Sequence, residues 1–218
     1  LSCKLKGGDA LATELEAKGT VHRVSCLGQC DRAPVSLGED NRLDRVGPRG
    51  AVTPDDPALP MNLAGKDDPT YPGLARARQM GADAVIAELE KSGLQGRGGA
   101  GFPAFIKWRA VRAEAEPTKY VVCNADEGEP GTFKDREFLE TDPHRMLEGA
   151  MIGAWVVGAS DVYIYLRDEY PEARHVLEAE IPNIEAAGIA PHVKLHLRRG
   201  AGAYICGDAV DLNWDSSE

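Results

Sequence analysis

Three short apolar stretches, at residues 120–123, 161–166 and 192–197, are separated from one another by segments of helical character. A strand, a helix and a second strand close most readily as a right-handed βαβ unit. The alternation therefore predicts an α/β fold with a mostly parallel sheet. The helices are legible by the same logic. Ala82, Val85, Ile86 and Leu89 share one face of a helix over residues 81–92. Residues 103–115 predict another, and residues 144–157 a largely apolar one. Pro171 suits the first turn of a helix reaching about Glu180, and Pro182 is expected to end it.

Ahead of this domain, assigned to residues 74–218, residues 1–36 read as a smaller unit. It has a helix over 9–18, a strand over 20–25 and a loop over 26–34. Residues 37–73 read as a linker, rich in Pro, Gly and Asp from Asn41 onward. Lys and Arg number 25 against 35 Asp and Glu, and the basic residues form no cluster. Nucleic-acid binding is therefore not expected. No apolar run is long enough to span a bilayer, and Leu1-Ser-Cys-Lys4 does not begin a signal peptide, so the expected location is cytoplasmic. Five cysteines in a chain of ordinary size do not indicate a disulfide framework. Leu1 in place of Met, and an acidic tail after a glycine-rich loop, lead to the expectation of a chain cut at both ends.

Chemistry is concentrated at three loops. Gly96, Gly98 and Gly101 fit G-x-G-x-x-G, but a helix precedes them where the usual dinucleotide fingerprint has a strand. Glycines there let backbone amides approach an anion, the next helix offers its positive end, and Lys107 adds a cation. The same spacing equally suits a tight helix–helix turn. The second loop, Cys123-Asn-Ala-Asp-Glu-Gly-Glu129, follows an apolar strand. Its Asn124 and Asp126 can bond the edge of a heterocycle or a ribose. A solvated acidic loop is the alternative. The third, Gly200-Ala-Gly-Ala-Tyr-Ile-Cys-Gly207, again follows a strand and reads either as a wall of the same crevice or as a bend.

Together these motifs resemble three signatures of the NADH- and FMN-binding flavoprotein subunit of respiratory complex I. They are Gly96 to Pro103 with Lys107-Trp108, Cys123 to Arg136, and Gly200 to Gly207, in the family's order. The same subunit type occurs in NAD-linked formate dehydrogenases and bidirectional hydrogenases. The resemblance implies a Rossmann-like flavin-binding domain in which NADH passes hydride to FMN, and electrons go on to iron–sulfur clusters in partner subunits. It implies FMN contacts at Gly98, Gly99, Lys107, Asn124 and Asp126, with Tyr204 and Gly207 closing the site. Phe102 resembles the aromatic that packs on adenine, and Glu129 the carboxylate facing the nicotinamide. Gly96, Arg97, Gly101 and Glu127 complete the implied cofactor-binding set. No side chain is expected to act as acid or base, because the cofactors carry the chemistry.

The smaller unit contains Cys26-Leu-Gly-Gln-Cys30, with Cys3 upstream. The spacing suits thiolate ligation and inert buried thiols about equally. The stretch resembles a partial thioredoxin-like [2Fe–2S] domain, which implies Cys3, Cys26 and Cys30 as ligands with a fourth lying upstream. A zinc site of Cys3, His22, Cys26 and Cys30 competes with it. After Gly207 the family has two glutamates, whereas this chain reads Asp208-Ala209. The family's later [4Fe–4S] domain is expected to be missing as well. Those departures raise a second expectation, a non-catalytic chain that binds a nucleotide, a metal or a partner protein.

Overall fold

The computed structural model describes residues 5–23, 32–40, 42–46, 68–96, 100–129 and 131–202. In chain order the elements are α1 (Gly8–Glu16), β1 (Ser36–Leu37), β2 (Leu43–Arg45), α2 (Pro72–Met80), α3 (Ala82–Ser92), α4 (Ala104–Ala113) and β3 (Tyr120–Ala125). They continue with α5 (Lys134–Thr141), α6 (Pro143–Val157), β4 (Asp161–Leu166), α7 (Pro171–Ala186) and β5 (Lys194–Arg199).

The expected parallel sheet is present, in the order β3-β4-β5. Its register aligns Tyr120 with Asp161 and Lys194 at one end, and Ala125 with Leu166 and Arg199 at the other. All three strands thus end level, which gives the sheet a single carboxyl edge. One face is dry: Val162, Ile164, Leu166 and Leu195 pack with Leu147, Met151 and Ala154 of α6 and with Leu177 and Ile181 of α7. Such side chains each contribute about 1.5–3 kcal/mol through burial. The other face carries Tyr163 stacked on His196 at 4.5 Å between ring centres.

Several sequence-based expectations are corrected. The strand expected over residues 120–123 runs on to Ala125, and only one of its faces is covered: Tyr120 and Val122 are 56% and 47% exposed on an edge of the described sheet, while Val121 and Cys123 pack against the core. Pro182 does not end α7, which runs on to Ala186 with the proline inside it. Burial of Ile181 and Ile184 on either side offsets the lost backbone bond. No strand forms over residues 20–23, where Thr20, His22 and Arg23 are exposed and Arg23 is tied instead to Glu16 and Asp9 of α1. The stretch 37–73 also holds β2, which pairs antiparallel with β1. β5 lies two residues beyond its expected bounds.

Two helices went unforeseen. α2 starts at Pro72 behind Tyr71, whose backbone is left-handed (φ 53) and whose ring is buried with its hydroxyl 2.5 Å from His144 Nδ1. Glu148 of α6 accepts the amide of Leu74, which satisfies part of the first turn of α2. α5 is capped in the same way from a distance, by Glu127.

Candidate functional site

The first motif is a loop pinched at its base. The Gly96 amide donates to the Phe102 carbonyl and the Ala104 amide to that of Leu94, both at 2.9 Å. Gly101 turns through φ 59, a left-handed conformation that glycine adopts at little cost. Phe102 is 44% exposed, with Lys107 Nζ 5.6 Å from its ring centre. Arg97, Gly98 and Gly99 lie outside the described residues.

The direction of α4 decides where this loop points. Its Trp108 ring lies against Gly153 of α6, where a Cβ would meet it at 3.4 Å. One turn later Arg112 donates to the Val156 carbonyl at 3.2 Å. The two helices therefore run the same way. Because α6 returns the chain from the end of β3 to the start of β4, both run opposite to the strands. The amino end of α4, with its glycine loop, thus faces the carboxyl edge of the sheet. That edge is where open α/β sheets bind ligands.

The second and third motifs meet on the same edge. Gly200 follows β5 and donates to the Leu166 carbonyl at 2.7 Å. A Cβ on Gly200 would lie 3.0 Å from that carbonyl, a tight contact with backbone, and 3.5 Å from Asp126 Oδ1, so a side chain here would push the loop away from β4. Asn124 is exposed at the end of β3, and its Oδ1 accepts the Asp126 amide. Burial pushes the Asp126 carboxyl above its ordinary value; Arg167 opposes this and Glu169 adds to it. Glu129 is exposed farther along the loop. The Ala201 amide donates to the Tyr165 hydroxyl at 3.3 Å, tying the third loop to β4.

Glu127 sits differently from its neighbours. It is buried, and its carboxylate accepts the amides of Asp135 and Arg136 at the start of α5 and the Tyr170 hydroxyl at 2.9 Å. The helix amino end favours this charge. Burial, followed by the Glu127 charge, pushes the Tyr170 phenol up. Arg167 donates to the Glu127 carbonyl at 2.7 Å. Arg167 and Tyr170 stand among the site-forming residues without having been picked out from the sequence, whereas Gly200 had been named there as the start of the third loop. The signal for Arg167 and Tyr170 was their position just past the end of β4.

The edge therefore offers hydrogen-bonding side chains at Asn124, Asp126 and Glu129, a cation at Lys107, and a helix amino end. Burial pushes the Cys123 thiol up to about 11, so it stays protonated and unreactive near neutral pH. Among the described residues, no group of three His, Cys, Asp or Glu side chains could hold a metal ion. Cys3, Cys26, Cys30, Tyr204 and Gly207 lie outside the described residues.

Comparison with known proteins identifies the family of the chain. The chain is similar to the F subunit of the NADH-quinone oxidoreductase of Aquifex aeolicus, 41% identical over 153 residues, covering 66% of this chain and 36% of the relative. It is 45% identical over 138 residues to the F 2 subunit of the NADH-quinone oxidoreductase of Rhizobium meliloti, covering 60% and 33%. The chain thus spans about a third of the length of these curated relatives. A crystal structure of an NAD+-reducing [NiFe]-hydrogenase in the H2-reduced state superposes with TM-score 0.71 and 32% identity, over 95% of this chain and 43% of that one. The model of the Nuo51 FMN-binding domain matches residues 89–214, more than half of the sequence, and the chain belongs to that family.

Proposed function

We propose that the chain is the flavin-binding part of an NADH dehydrogenase-type oxidoreductase, in which hydride passes between NAD(H) and FMN. The carrying observation is that the described parts of three family motifs, at Gly96 and Gly101, Asn124 to Glu129, and Gly200, lie towards one carboxyl edge of a parallel sheet. The chemistry there fits FMN. A phosphate suits Lys107 and the amino end of α4, with the backbone of Gly96, Arg97, Gly98, Gly99 and Gly101 around it. The hydroxyl and ring N–H groups of a flavin suit Asn124 and Asp126. A ligand donor would also relieve the desolvated Asp126 carboxylate. Phe102 is the packing surface for adenine and Glu129 the carboxylate on the nicotinamide side, with Tyr204 and Gly207 closing the crevice. When bound, FMN supplies the two-electron acceptor; the chain's own residues bind, orient and shield.

The parent protein then works within a larger dehydrogenase complex, cytoplasmic, with iron–sulfur and catalytic subunits as partners. Cys3, Cys26 and Cys30 belong to a partial thioredoxin-like [2Fe–2S] unit. No helix among the described residues is long and apolar enough to cross a membrane.

Titration of the purified chain with FMN, followed by flavin fluorescence, tests the reading. Saturable quenching with anaerobic bleaching of the visible bands by NADH supports it, and absence of quenching refutes it. Ala209, standing where the family has its second glutamate, favours a second reading in which flavin binds but NADH does not reduce it. Quenching without bleaching would select that one.

A further inference from the structure

The acidic loop after β3 carries Asp126 and Glu129 at the carboxyl edge of the sheet, and it is anchored from the turn after β4. Tyr170 has no exposed surface, and its hydroxyl reaches the Glu127 carboxylate at 2.9 Å. Arg167 grips the same residue by its backbone: one guanidinium nitrogen donates to the Glu127 carbonyl at 2.7 Å, while Nε donates to Glu169 at 3.1 Å. The guanidinium also lies over the Tyr170 ring, 5.4 Å from its centre, and the Arg167 amide donates to the Ala125 carbonyl at 3.2 Å. Glu127 is thus held by both its side chain and its main chain. It passes that constraint on to the amides of Asp135 and Arg136, where α5 begins. Asp126 precedes Glu127 directly, and the Gly128 amide closes back on the Asp126 carbonyl at 3.0 Å. The position of Asp126 against Gly200 is therefore fixed from behind.

We propose that Tyr170 and Arg167 are positioning residues of the flavin site. They act through Glu127 to set the acidic loop against the glycine loop of Gly200, and they make no contact with the ligand themselves. The inference rests on the FMN reading above. Losing the Tyr170 hydroxyl leaves Glu127 with the Asp135 and Arg136 amides and with Lys134 at 3.7 Å, all at the start of α5, so the carboxylate and the loop that carries it are drawn towards that helix.

The test compares the full chain with Tyr170→Phe, which keeps the ring beneath Arg167 and removes only the hydroxyl. Leu177→Ala serves as the control, since Leu177 is buried in the same core as Tyr170 but its apolar side chain takes no part in the hydrogen bonds to Glu127. Three quantities are read: the FMN dissociation constant by fluorescence quenching, the visible circular dichroism of bound flavin, and hydrogen exchange at the Asp135 and Arg136 amides. In Tyr170→Phe the expected result is about tenfold weaker FMN binding, the scale of one hydrogen bond to a buried charge. It comes with an altered flavin dichroism and faster exchange at those two amides. Leu177→Ala is expected to lose more stability while keeping its FMN affinity within about twofold. Unchanged affinity in Tyr170→Phe overturns the inference, as does an equal loss of affinity in Leu177→Ala. A parent chain that fails to bind FMN overturns the flavin reading and this inference with it, a result distinct from the other two. If Tyr170→Phe does not fold, Arg167→Lys keeps the charge, loses the two-pronged grip and carries the same expectations.

Discussion

At the amino end of the sheet Asp161 is closed off by its neighbours; at the carboxyl end Asp126 is not. Asp161 accepts the Ser160 hydroxyl at 2.6 Å and lies 2.8 Å from His196 Nε2, and these two bonds hold its carboxyl below the usual range. Asp126 is pushed the other way by burial, and its carboxylate accepts no hydrogen bond from the described residues. One end of the sheet uses its polar groups within the fold. The other keeps a desolvated carboxylate, glycines and a helix amino end available. Such a division is what a ligand edge requires, since groups already satisfied within the fold have nothing left to offer a ligand.

The largest effect should come from the core that both ends share. Ile164→Ala, at a fully buried position in the central strand, should cost about 2–5 kcal/mol in denaturant unfolding. FMN affinity should stay unchanged while the protein remains folded; a large loss of affinity would mean that the ends are not independent of the core. Next comes Gly200→Ala. Its Cβ would press on the Leu166 carbonyl at 3.0 Å, which costs about 1–3 kcal/mol and displaces the third loop. Flavin titration should show a loss of more than about tenfold, a far larger change in binding than the core variant gives.

The two aspartates supply the sharpest contrast. Asp161→Asn should cost about 1 kcal/mol, discounted because the side chain is 26% exposed. Since its folded pKa is depressed, its stabilisation is full above the ordinary carboxylate value and is lost as pH falls through the folded value. For Asp126 the sign reverses. Its folded pKa is raised, so the protein gains stability as pH falls from above that value towards the ordinary 3.8. Asp126→Asn should therefore stabilise the ligand-free chain near neutral pH and remove that rise. Unfolding free energies across acidic pH decide both, and slopes of the same sign would break the comparison. The smallest effect belongs to Tyr165→Phe, which removes the acceptor of the Ala201 amide and should cost about 0.5 kcal/mol. A two- to threefold loss of FMN affinity, roughly what that energy allows, is the expected readout.

Much of the α/β body is legible along the chain because its signals are local. The bounds of β4 follow from five strand-forming residues after Asp161, and α6 from an apolar run ended by Gly158. α5 is not legible, because its sequence is polar and its amides are satisfied by Glu127, outside the helix. β2 is three residues long and is defined only by its pairing with β1. At the site, the glycines, Asn124, Asp126, Glu129 and Lys107 stood out as motifs. Glu127 stood among them with a cofactor contact implied, whereas the fold uses its carboxylate to hold α5 and Tyr170.

The sequence alone determined the class of fold, the three strands of the parallel sheet with most of the helices around them, and the three ligand-type loops, because each depends on periodicity or on glycine within a few residues. Only the tertiary structure decided that these loops share one edge, that Asp126 is desolvated there, and that a tyrosine 43 residues from Glu127 holds its carboxylate. Desolvation and distant capping depend on what lies beside a group in space, and local pattern carries no record of that.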